Sequence, residues 1–161
     1  MTVIRLRFVT CSDQISAVIR FAENFWASHC EAVMPDGTYL GAHADGGVAA
    51  RPPDYDKGIW TQQLFLDLPC TDEQKAAHIR YLAKKIGEPY DAASIFGFVA
   101  RADQHTPNHI ICSALQLMSL RQPEAPYLPY PVVVPAHGVS PRDLLMILSG
   151  RVLVVDPEVR K

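Results

Sequence analysis

The hydrophobic pattern changes period once along this chain, and that change sets the fold class. Up to Leu68 apolar residues recur at every second position in short runs. After Thr71 they recur at three- and four-residue spacing. Ile4, Leu6 and Phe8 alternate with Arg5, Arg7 and Val9, which predicts a half-buried strand over 3–10. A short helix follows, capped by Thr10 or Ser12 and carrying Ile15, Val18, Ile19 and Ala22. Strands are predicted over 27–34, 38–42, 48–51 and 62–68. Pro35-Asp36-Gly37 joins the first two: Pro presets φ, and Gly accepts the positive φ that closes a hairpin.

Thr71 and Gln74 then form a capping box for a helix whose stripe, Ile79, Leu82, Ala83 and Ile86, stops at Gly87. Further helices are predicted over 91–101, over an apolar stretch from Ile110 to Leu120, and from Ser140-Pro141, with Pro at the first helical position. A strand over 152–155 closes the chain. A Pro-rich stretch, 123–135, reads as an extended connection. Strands first and helices second is an α+β layout, and 161 residues suit one domain, 1–161, with its own core.

Charge and cysteine usage exclude several functions. A net charge of −2 argues against nucleic-acid binding, which needs a basic face. No apolar run approaches the roughly 18 residues that a spanning helix requires. The first ten residues lack a signal peptide's apolar core. Cys11, Cys30, Cys70 and Cys112 match no zinc-finger or CxxC spacing. These features predict a reduced, cytoplasmic protein, or one delivered without its own export signal.

Two segments carry chemistry. Ser28-His29 begins a strand, and Cys112-Ser113 heads an apolar helix. A thiolate is the nucleophile in thiol-based acyl transfer, and an adjacent imidazole produces it at neutral pH. Helix-start N–H groups lower a thiol's pKa and can hold an oxyanion. Asn108 after Pro107 also looks like an N-cap, which would bury Cys112 a turn inside the helix. By alternation His29, Glu31 and Val33 share one strand face, and Cys30, Ala32 and Met34 point to the core. A zinc reading needs His29, His43 and Cys112 to converge. Trp26, Trp60 and Tyr55 are candidates for lining a cleft.

The segments SHCEAVMPDGTYLGAHADGGV, KIGEPYD, ICSAL and SPRDLL, with the opening Ile4–Arg20, resemble in order the NlpC-type papain-fold cysteine hydrolases. The similarity is to their circularly permuted YiiX-like branch, phage members especially, in which the His precedes the Cys. It implies a papain-like core, with a small antiparallel sheet or barrel packed against helices. It implies Cys112 as nucleophile, His29 as general base and then acid, and Tyr90 near the thiolate. The substrates implied are peptides or acyl-containing small molecules, such as cell-wall peptides or acyl lipids, with no cofactor and no metal.

The family's third polar residue falls on Gly41, which has no side chain. His43, two residues on, is the expected substitute to orient His29, or else a backbone carbonyl or water. Glu31 is disfavoured because neighbours at i and i+2 rarely meet well. Ala114 stands where the family often has Glu. The alternative is a degraded, phage-associated accessory or binding protein of the same fold.

Overall fold

A computed structural model describes residues 1–100, 104–130, 134–150 and 154–159. Its elements are β1 (Val3–Cys11), α1 (Gln14–Glu23), β2 (His29–Val33), β3 (Tyr39–His43), β4 (Gly47–Arg51), β5 (Trp60–Pro69), α2 (Asp72–Lys85), α3 (Ala92–Ala100), α4 (Cys112–Ser119), α5 (Pro141–Ser149) and β6 (Val154–Val159). The strands form one sheet in the order β4-β3-β2-β1-β5-β6, with every neighbouring pair antiparallel. The sheet is open, so the fold is α+β without a closed barrel. Among the described residues no helix is long and apolar enough to cross a membrane.

Local chemistry explains most boundaries. Thr71 and Gln74 make the expected capping box, and Ser140 with Asp143 makes a second one ahead of Pro141. Asp13, rather than Thr10 or Ser12, caps α1 by accepting from the Ser16 N–H, because its carboxylate sits three residues ahead of that donor. Gly37 takes φ +85° in the hairpin. The beginning of the expected closing strand lies outside the described residues.

β1 departs from simple alternation, since Arg7 is as buried as Leu6 and Phe8. Antiparallel sheets can leave one face to water, but β1 is covered on both. Helix α4 packs over β2 and β3, and Leu6, Phe8, Cys30, Ala32, Leu40 and Leu115 belong to one buried core. On Arg7's side, Tyr55 and Asp56 from the 52–59 loop supply polar partners.

His78 on α2 is buried, and its Nδ1 has no hydrogen-bond partner. Burial pushes its pKa down to about 3. Because the folded value lies below the unfolded value of about 6.5, its contribution to stability is fully present above about pH 6.5 and is lost as pH falls towards 3. Between pH 7.5 and 5 the loss is about 2 kcal/mol. Denaturant melts of His78→Gln should show a flatter pH dependence over that range, and an unchanged slope would refute this assignment.

Candidate active site

Helix α4 begins at Cys112 itself. Ile111 is its N-cap with no side-chain hydrogen bond, and the first N–H paired to that cap belongs to Leu115. Asn108 adopts φ +60° and stays outside the helix. The start is held from outside: the Ile110 N–H bonds to Pro89 O, the Asp91 N–H bonds to Ile110 O, and Tyr90 bridges Ile110 in parallel. Asp91 is buried and accepts from Ser94 and Thr106 N–H groups, and it contacts His105 at 2.5 Å. The Gly-x-Pro-Tyr element thereby sets Tyr90 beside the helix start. Gly47 makes this approach possible, because a Cβ there would meet Glu88 O at 2.3 Å.

Cys112 and His29 interact through a hydrogen bond and through charge. The Cys30 thiol and backbone N–H also bond to the Cys112 sulfur. The Cys30 thiol, His29 and the Cys30 N–H all favour a charged sulfur, and they hold the Cys112 thiol well below the usual range against the cost of burial. Burial alone would lower His29, but Cys112 and Glu31 raise it to about 10. Both shifts favour the thiolate–imidazolium pair. Cys30 is packed inward as expected, and burial and the facing sulfur push its own thiol up.

Behind His29 lies Glu31, a residue that strand geometry seemed to disfavour. Its Oε2 is 3.5 Å from His29 Nε2 and 3.8 Å from His43 Nε2. Arg7 donates to Glu31 Oε1 at 2.7 Å and to Gln63 at 2.7 Å, and pairs with Asp56 at 2.8 Å. Tyr55 donates to Glu31 Oε2 at 3.2 Å. Two carboxylates thus share one guanidinium in a buried cluster, and His29 faces the surplus negative charge. The hydrogen bonds and charges of His29 and Arg7 hold the Glu31 carboxyl below its usual range despite burial.

Gly41 explains why Glu31 reaches His29. The register Ala32↔Leu40 continues to set Glu31 opposite Gly41. A Cβ at 41 would lie 3.0 Å from Glu31 Cβ and 3.3 Å from His29 Nε2. The missing side chain leaves room for the carboxylate of the neighbouring strand.

His43 lies beside His29, with ring centroids 4.7 Å apart. Its Nε2 makes no hydrogen bond, so it does not orient His29 as the sequence suggested, and Glu31 occupies that role's position. Burial, followed by the nearby His29 charge, lowers His43 to about 3. Tyr90 feels the charge of Cys112, and burial raises its hydroxyl far above the ordinary value. Arg7 and Asp56 are the residues of this cluster that the sequence pattern does not single out, and Glu31 is the one that strand spacing disfavours. The available signal was a charged residue in an otherwise apolar strand.

His29, His43, Tyr55 and Tyr90 line a cleft of about 330 Å³. Ile15, Ala44 and Tyr90 also wall a neighbouring apolar groove of about 780 Å³, with Val18, Pro89 and Ile95. Trp60 is buried and does not line the cleft. Cys112 is 2% exposed, and His29, which interacts with it, and Tyr90, which feels its charge, form part of the cleft wall.

No protein-family model matches the chain, and no curated protein matches it. Among solved structures it is similar to the metalloprotein YiiX from Escherichia coli O157:H7, a DUF1105 protein, with a TM-score of 0.55 and 17% identity. The likeness covers 74% of this chain and 64% of that one, so the chain spans just under two thirds of the neighbour's length. The α+β arrangement of open sheet and packed helices is a YiiX-like fold.

Proposed function

We propose that this chain is a cysteine hydrolase that cleaves amide or ester bonds through an acyl-enzyme. The observation that carries the reading is the contact of Cys112, at the first position of α4, with a His29 backed by the buried Glu31. The Cys112 thiolate attacks the substrate carbonyl carbon. The tetrahedral oxyanion is held by the unpaired N–H groups at the start of α4, with Tyr90 alongside. Imidazolium His29 gives its proton to the leaving amine or alcohol, and the acyl group remains on sulfur. Neutral His29 then takes a proton from water, hydroxide attacks the thioester, and thiolate leaves. Glu31 fixes the ring and stabilises the imidazolium, as a carboxylate does in a Ser-His-Asp triad.

The apolar groove beside the cleft suits a substrate with an apolar portion, which favours acyl-bearing molecules over purely polar peptides. The similarity to the permuted YiiX-like hydrolases points to the same chemistry. Acyl-enzyme trapping tests it: incubation with a p-nitrophenyl acyl ester at mildly acidic pH, followed by mass mapping, should find the acyl group on Cys112 alone. Acylation of Cys11 or Cys70 instead, with Cys112 unmodified, would count against the proposal.

A further inference from the structure

We propose that His29, Glu31 and His43 form a binding site for a divalent transition-metal ion of the zinc class, and that its occupancy silences Cys112. Three observations converge. The Nε2 atoms of His29 and His43 are both buried; that of His43 has no hydrogen-bond partner, and that of His29 has only the long Glu31 contact. Both point towards the same Glu31 Oε2, at 3.5 and 3.8 Å, and one ligand atom from each residue lies within 4.8 Å of the others. Ligands at about 2.0–2.2 Å around a tetrahedral zinc ion sit about 3.3–3.5 Å apart, so small side-chain rotations complete the geometry. At Gly41, where a Cβ would stand 3.3 and 3.4 Å from the two Nε2 atoms, the wall is open.

The donor set is chemically apt. Two imidazoles and one carboxylate make a three-ligand site that keeps one position for water. Outer contacts hold the carboxylate: Arg7 on Oε1 and Tyr55 on Oε2. The cleft lined by both histidines is the entry path. Cys112 is not a ligand, which distinguishes this site from a thiolate zinc site.

An ion on Nε2 takes the face of His29 that Glu31 backs, so the base loses its orienting carboxylate while the ion is bound. This consequence rests on the hydrolase reading; binding itself does not.

The test uses the full chain, stripped with chelator and kept reduced. Titration with Co²⁺ should give four-coordinate visible bands saturating at one ion per chain, without a thiolate-to-cobalt charge-transfer band. Cys112→Ser should leave them unchanged. His43→Ala, checked for fold by circular dichroism, should weaken Co²⁺ and Zn²⁺ affinity about tenfold or more. Zn²⁺ should lower p-nitrophenyl ester turnover about tenfold or more in the wild type, with chelator restoring it. No binding, binding indifferent to His43→Ala, or bands lost in Cys112→Ser would overturn the site. If Co²⁺ binds as described but Cys112 of the metal-free protein never alkylates or acylates, the site stands and the hydrolase reading fails.

Discussion

Arg7→Met destabilises the protein by about 3–5 kcal/mol in denaturant melts at neutral pH, and unfolds it outright if its total stability is low. Arg7 is 1% exposed and is the cation that both Glu31 and Asp56 contact. Removing it takes the guanidinium from two buried carboxylates and leaves Glu31 with the His29 imidazolium alone. The guanidinium offsets much of their desolvation cost, so the loss exceeds that of the packing removed. Arg5→Met is the internal control. Arg5 sits two residues away on the same strand and pairs with Asp67 at 2.6 Å, but its side chain is half exposed, so its loss should cost about 1 kcal/mol or less. Equal effects of the two substitutions would show that the buried cluster is not what stabilises this side of the sheet.

Cys112→Ser lowers turnover of a p-nitrophenyl ester by about a thousandfold or more while leaving the melt nearly unchanged. Serine is close in volume and keeps the helix start. A hydroxyl is far less acidic than a thiol, however, so His29 cannot hold it ionised. His43→Ala should cost about tenfold or less, because its Nε2 bonds nothing and Glu31 orients the base. The two variants separate the reacting groups from their surroundings. A Cys112→Ser enzyme with most of its rate intact, or a His43→Ala enzyme as dead as it, contradicts the assigned roles.

Much of this arrangement was readable from residue order. The capping box at Thr71 depends on local hydrogen bonds and forms as expected, and the helix expected from Ser140-Pro141 starts there behind a second capping box. The hairpin at Pro35-Asp36-Gly37 is equally local, and its geometry brings His43 beside His29. What escaped the sequence depends on neighbours far along the chain. Arg7 looked like a solvent-facing residue of an alternating strand. Its burial follows from Gln63, Glu31 and Asp56, up to 56 residues away, converging on it. Glu31 was discounted on strand spacing, which assumes a side chain on the facing residue. Gly41 removes that obstacle. From sequence the helix can start at an Asn108 cap or at Cys112 itself. The parallel bridge of Tyr90 to Ile110, and the left-handed Asn108, decide it in favour of Cys112 at the first position.

Ultraviolet thiolate absorbance, titrated with pH on wild type and Cys112→Ser, tests the thiolate–imidazolium pair without requiring a reagent to reach the buried sulfur. Cys112 ionises well below the ordinary thiol range, and His29 stays protonated up to about 10. The difference spectrum should therefore show one thiolate already present at about pH 6 and constant to about pH 9. A difference signal that rises only above about pH 8.5, as for an ordinary thiol, would contradict a Cys112–His29 nucleophilic pair.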